Sequence, residues 1–378
     1  MKHIAVLCGG SSYEHEVSII TGMQVVQNLD PKRYSYSFIY FDKNNQPFLL
    51  KDYKTKKDFH RVKHVPVDFV HRDGIGCISL PTRFNKKIQI DLCYLAFHGG
   101  SGESGPVQGM LEVLGFPFTS PSQEGSVIVM NKSITKEVLE AHNVPVLPSM
   151  SVFASSFSEK KTEILAQIVD TYTLPVIIKP VHLGSSIGIS IAHTEIELEK
   201  YLNVAVRLDT EILVEQALTD FREFNVSVRS AGDAIECSPI EEPTRDDEFL
   251  SFDDKYANGS KKSGGKTGRG GMELLDRTLP AAIPDTLADK IRTYAKLAYS
   301  ATRLSGLVRI DFMFVVEKLY CTEINPIPGS MSFYLWEANG EQFREQITQS
   351  IEDSLERFAQ QIEIVPFETD IVQKFVGS

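Results

Sequence analysis

Residues 307–325 read LVRIDFMFVVEKLYCTEIN. Two apolar runs flank a short polar break, which is the pattern of a β-hairpin. Side chains alternate between the two faces of a strand, so Arg309 and Asp311 share one face of the first strand, and Glu323 and Asn325 share one face of the second. For the four to meet, Asp311 must lie opposite Glu323 and Arg309 opposite Asn325. A two-residue loop pairing Val316 with Leu319 would set Asp311 opposite Ile324 and leave its carboxylate on the wrong face, so a three-residue loop over 316–318 is expected. Asp, Glu and Asn supply hard oxygen donors, which suit Mg2+, an ion that takes few protein ligands and completes its shell with phosphate and water. The cluster therefore implies a nucleotide. A cross-strand salt bridge of Arg309 on a solvated face is the plainer alternative, and NPIPG (325–329), directly after the cluster, disfavours it.

Upstream, a short apolar strand at 176–179 enters PVHLGSSIG (180–188). Gly184 and Gly188 let backbone amides approach an anion, Ser185 and Ser186 add hydroxyl donors, and Lys179 adds charge. Taken alone, the loop reads equally well as a hairpin turn. It fits neither the Walker pattern nor GxGxxG, which argues against P-loop and Rossmann dinucleotide sites.

At the start of the chain, HIAVLC (3–8) runs into GGSS and then into Val17, Ile20, Val25 and Leu29 near helical spacing. With 38–41 as the next strand this is a βαβ beginning, and Ser11 three residues before Glu14 has the form of a capping box. A second buried strand, 92–97, opens into HGGSGESG and a helix carrying Val107, Met110, Leu111 and Leu114. GFPFTSP (115–121) interrupts any regular element. Beyond it the pattern predicts a helix at 132–141, strands at 189–192, 212–215 and 223–228, an irregular stretch at 241–272, and a helix at 288–301. The charged amphipathic helix at 340–361 is assigned to packing. The fold class is α/β, with an N-terminal βαβ domain on a parallel sheet and further compact units after it.

The whole-chain balance excludes several classes. With 378 residues, 42% hydrophobic and 24% charged, the chain has the composition of an ordinary globular protein. A net charge of −11 would be repelled by a polyphosphate backbone, so no nucleic-acid partner is expected. No stretch approaches the roughly 20 apolar residues of a membrane span, and no membrane partner is expected. Five scattered cysteines in no metal-ligand spacing point to reduced thiols in a cytoplasm.

With these residues in view, the chain resembles the D-alanine–D-alanine ligases, from GGSSYEHEVS near its start through HGGSGESGPVQGMLEVLGFPFTSP, MNKSITK, KPVHLGSSIG, DDKY and VRIDFMF to EINPIPGS. The resemblance implies an ATP-grasp (α+β) architecture: an N-terminal domain at 1–120, then ATP-grasp subdomains at 121–215 and 216–378 that sandwich the nucleotide. It implies that ATP and two Mg2+ ions, or Mn2+ in their place, act with D-amino acid substrates in a homodimer. Lys132, Lys179 and Ser186 would hold the phosphates, Glu223 the ribose, and Glu215 would lie beside the adenine. Asp311, Glu323 and Asn325 would ligate the metal. Arg309 and the Gly329 amide would stabilise the tetrahedral intermediate. Glu14, Ser185 and Tyr256 match a hydrogen-bonded trio at the first amino acid, although Glu14 also suits the capping box. His98, Glu103 and Lys255 would stand near the substrates; for His98, a ring merely satisfied by hydrogen bonds is the competing reading.

The segment after Tyr256, ANGSKKSGGKTGRGGM (257–272), has the composition of a disordered linker, whereas the resemblance makes it a lid over the site. Two departures stand out. Tyr334 occupies the place of a serine that helps hold the second substrate's carboxylate, and Ser104 replaces an aspartate. Ser332 or the Tyr334 hydroxyl is the candidate replacement. The activity implied is ligation of two D-alanines through an acyl-phosphate for peptidoglycan precursors. The alternatives are a different second substrate, such as D-serine, D-lactate or another amino acid, and an ATP-binding module without catalysis.

Overall fold

The computed structural model describes residues 1–72, 75–81, 86–232, 234–244, 277–360 and 371–376. Its first sheet has five strands in the order Lys63–Pro66, Pro47–Lys51, Tyr34–Phe41, Lys2–Gly9, Leu92–Leu95. Lys2–Gly9 pairs in parallel with both Tyr34–Phe41 and Leu92–Leu95. This is why Ile4 to Cys8 form an unbroken apolar run: all five are fully buried, as a central parallel strand covered on both faces requires.

The helix His15–Asn28 departs from the expected stripe. Ile20 is exposed, and the buried face carries His15, Ser18, Ile19, Thr21, Gly22, Val25 and Val26. Polar residues face inward here because each has a bonding task. Ser18 Oγ accepts from the Gly9 amide and donates to the Ala96 carbonyl, while Thr21 reaches His98. At Gly22 the helix sits so close to the sheet that a Cβ would lie 2.8 Å from that of Cys8. The capping box does not form: Ser12, not Ser11, accepts the Glu14 amide, and the Glu14 side chain does not cap the helix.

Two antiparallel sheets follow. One has the order Ser190–Ala192, Val176–Pro180, Glu211–Gln216, Ser149–Phe153, and its core is closed by residues of the helices Ala154–Thr171 and Glu195–Ala205. The other has the order Ala234–Cys237, Arg222–Ala231, Leu307–Val315, Lys318–Asn325. Its apolar face, with Phe224, Val226, Ile310, Phe312 and Ile324, packs against Ile291, Ala295 and Ala298 of the helix Asp285–Ala301. Leu139 of the helix Lys132–Ala141 joins this same core. A small three-stranded sheet, Asp68–Arg72, Ile75–Ser79 and Lys87–Gln89, lies within the N-terminal part.

The helix Phe343–Ala359 takes up the packing role expected of the charged tail. Phe343, Ile347 and Ile351 enter the core of the first sheet together with Ile327, Met331, Phe333 and Leu335. The chain thus returns to its starting domain after building the third large sheet.

Candidate active site

The 307–325 hairpin has the register the site needs, reached by a different route. Arg309 pairs with Asn325 and Asp311 with Glu323, but the turn has two residues, Val316 and Glu317, with Val315 opposite Lys318. A tight turn of this length leaves the pairing one residue short. A bulge on the second strand restores it, because Asp311 pairs with Glu323 and Phe312 with Cys321, which leaves Thr322 as the extra residue. Thr322 Oγ1 donates to the Asp311 carbonyl at 3.0 Å and fastens the bulge. The neighbouring strand continues the row: Asn225 lies opposite Asp311, and Ser227 opposite Arg309.

Fourteen of the residues singled out above line one cavity of about 240 Å3: Glu14, His98, Glu103, Lys132, Lys179, Gly184, Ser185, Ser186, Glu223, Arg309, Asp311, Glu323, Asn325 and Gly329. Within it, Arg309 grips both Asp311 oxygens at 2.7 and 2.8 Å, and Asn325 Nδ2 donates to Asp311 at 3.1 Å. Burial raises the Asp311 carboxyl, and the Arg309 guanidinium only partly offsets it. Among the described residues, no group of three or more His, Cys, Asp and Glu side chains is placed to hold a metal ion. The set here is two carboxylates and an amide on one sheet face, and such hard oxygens fit Mg2+ that is otherwise held by phosphate and water.

Ammonium groups face this row from the helix Lys132–Ala141. Lys132 Nζ donates to the Leu183 carbonyl at 2.6 Å and lies 3.8 Å from Glu323. One turn later, Lys136 forms an ion pair with Glu215, to which Lys179 also donates at 2.5 Å. Burial by itself would raise the Glu215 carboxyl; the two ammonium groups override it and hold it below the ordinary value. Glu215 is itself buried behind the cavity wall.

The glycine-rich loop turns through left-handed Ser185 (φ 52°) and Ser186 (φ 62°), and Ser185 Oγ donates to Glu14 Oε1 across 171 residues of sequence. His98 and Glu103 together hold the backbone of Ile327. His98 Nδ1 donates to the Ile327 carbonyl at 3.0 Å, so its Nε2 accepts from Thr21 Oγ1 at 2.7 Å. Glu103 accepts the Ile327 and Gly99 amides at 3.2 and 2.6 Å. Burial lowers the His98 ring to about 4, keeping it neutral. Burial, with the Glu14 carboxylate next, drives Glu103 upward. After Gly329, Ser330, Met331 and Ser332 are all left-handed (φ 48°, 56° and 48°), a conformation costing about 1–2 kcal/mol per residue. The Thr21 hydroxyl anchors this strained turn by accepting the Ser330 amide at 3.3 Å.

Ser332 and Tyr334 are not brought to the cavity. Ser332 is fully buried, and the Tyr334 hydroxyl donates to Glu241 at 2.9 Å, with the Arg277 guanidinium stacked 4.2 Å from its ring centre. Lys255, Tyr256 and the segment 257–272 lie outside the described residues. Three participants escaped the sequence reading: Lys136, Asn225 and Glu241, the last joining Asn225, Tyr334 and Arg277. Lys136 was within reach, four residues after Lys132 in MNKSITK and so on the same helix face. Asn225 follows Glu223 by two and shares its strand face. Glu241 carried no local signal.

Two family models match the chain, described as D-ala D-ala ligase N-terminus over residues 3–121 and D-ala D-ala ligase C-terminus over residues 138–352. A D-alanine–D-alanine ligase of Thermosipho melanesiensis is 33% identical, with all of both chains covered. Among solved structures, the D-alanine-D-alanine ligase from Coxiella burnetii superposes with a TM-score of 0.78 at 24% identity, covering 100% of this chain and 97% of that one. The Bacillus anthracis D-alanine–D-alanine ligase complexed with ATP gives 0.68 at 22% identity, covering 95% and 99%. These two likenesses establish the ATP-grasp fold.

Proposed function

Because the chain belongs to the D-alanine–D-alanine ligase family, we propose that its cavity carries out that family's reaction. The protein is an ATP-dependent ligase that joins two D-alanines into D-alanyl-D-alanine for cell-wall synthesis. One observation carries the reading of the site: Arg309, Asp311, Glu323 and Asn325 occupy one face of a hairpin, with Lys132 and Lys179 on the same cavity.

A carboxylate oxygen leaves poorly, so the first D-alanine must be activated before an amine can displace anything from it. Glu14, which accepts from Ser185 Oγ, would hold that substrate's ammonium. Its carboxylate then attacks the γ-phosphorus of ATP, and Lys132 and Lys179 neutralise the charge that spreads over the transferring group. Asp311, Glu323 and Asn325 would hold Mg2+, which when bound would add further neutralisation of charge on the triphosphate. The free amine of the second D-alanine attacks the acyl-phosphate carbonyl and phosphate leaves. Arg309 and the Gly329 amide stabilise the oxyanion formed on the way, and positioning and electrostatics supply the acceleration without a protein nucleophile. His98 and Glu103 serve this step by gripping Ile327, two residues before Gly329. The working state we propose is a cytoplasmic homodimer using two Mg2+ ions.

The test is phosphate release from Mg-ATP with D-alanine alone, with the mass of the product measured. Dipeptide formation is expected; turnover only when D-serine or D-lactate is added would transfer the reading to a mixed ligase. Arg309→Lys keeps the charge but loses the planar fork, and kcat is expected to fall about 10²–10³-fold. Unchanged kcat would remove Arg309 from the chemistry.

A further inference from the structure

Two half-buried lysines on the cavity lining share one buried carboxylate behind it. The side chains of Lys136, Lys179 and Glu215 are 12%, 14% and 1% exposed. Lys179 and Glu215 reach each other from adjacent antiparallel strands, where Glu215 lies opposite Ile177 and Lys179 opposite Leu213. Lys136 comes from the helix Lys132–Ala141, and its ammonium also donates to the Leu147 carbonyl at 2.6 Å. Among the described residues, Glu215 alone is ion-paired with the two ammonium groups.

This arrangement has a consequence once Lys179 is given the phosphate role proposed above, on which the inference rests. Reaching a triphosphate takes the Lys179 ammonium away from Glu215. A carboxylate buried with no cation would be strongly destabilised and would take up a proton. We propose that Lys136 is a positioning residue for ATP binding: it remains on Glu215 as its permanent counter-charge, so that Lys179 can move to the phosphates without Glu215 being protonated. The geometry divides the labour along one helix. Lys132 faces Glu323 in the third large sheet, and Lys136, one turn on, holds Glu215 in the second. Among the described residues, the other titratable groups acting on the trio are Tyr172, whose phenol is raised by burial and then by Glu215, and Cys321 beside Lys136.

The experiment is calorimetry of a non-hydrolysable ATP analogue with Mg2+, run at pH 7.5 in two buffers of different ionisation enthalpy, which counts protons taken up on binding. Relative to the wild type, Lys136→Met is expected to take up as much as about one extra proton, its Kd rising up to about tenfold for each pH unit above neutrality. Lys136→Arg should restore the wild-type count. In a Glu215→Gln background, which removes the buried charge and any misfolding it causes, Lys136→Met should leave affinity unchanged. The proposal is overturned if Lys136→Met binds with the wild-type proton count, or if it weakens binding equally with and without Glu215, since Lys136 would then touch the nucleotide directly. Failure of the underlying reading looks different: Lys179→Met would bind the analogue as tightly as the wild type.

Discussion

His98 shows how one buried ring links local chemistry to the behaviour of the fold. Both nitrogens are engaged, one to the Ile327 carbonyl and one to Thr21, and burial holds the ring near 4 against an ordinary 6.5. An unfolded chain protonates this histidine as pH falls through about 6.5, and the folded protein does not until about 4. Its contribution to stability is therefore complete above the upper value and declines on acidification across that window, by at most about 1.4 kcal/mol per pH unit. Urea titrations at pH 7 and pH 5 should show His98→Gln losing less stability on acidification than the wild type. Other groups, including the raised Glu103, largely cancel in that comparison. Equal losses would mean that the ring is protonated in the folded state.

At the scale of one element, the 307–325 hairpin carries a conflict between turn and site. Val316 and Glu317 both adopt positive φ, 47° and 61°, where Asn-Gly is favoured and a β-branched residue is strained. Val316→Asn with Glu317→Gly should therefore raise stability by about 1–2 kcal/mol while leaving kcat unchanged, measured by urea unfolding and phosphate release. Activity is insulated because the register at Asp311 depends on the bulge at Thr322 rather than on the turn. The parity of the hairpin was legible from residue types alone: four polar groups that must share a face demand one residue more on the second strand. Where that residue sits was not legible, since a loop and a bulge satisfy the same count. The helix His15–Asn28 teaches a related lesson, because a stripe drawn from apolar residues alone missed Ser18 and Thr21, buried for their hydrogen bonds.

Over the whole molecule, the helix Phe343–Ala359 closes a circuit. Ile347 and Ile351 are fully buried in the core that also contains Ile4 to Cys8 and the residues after Gly329. Glu352 on the same helix accepts from Lys2, Arg33 and Tyr34. Ile347→Ala should cost about 2–5 kcal/mol of stability, which a shift of the urea midpoint at constant slope would register. A cost below about 1 kcal/mol would show that the helix is not part of that core.

The sequence by itself determined the βαβ opening, the hairpin and its shared polar face, the glycine-rich loop with Lys179, and the family to which the chain belongs. These are local patterns: periodicity, turn chemistry and contiguous motifs leave their record within a few residues. Tertiary structure alone decided that Ile327 is held by His98 and Glu103, that Tyr334 turns to Glu241, and that Lys136 shares Glu215 with Lys179. Each of these joins elements far apart in the chain, and a side chain chooses among distant partners only when packing sets the distance and burial makes an unmet charge or hydrogen bond costly.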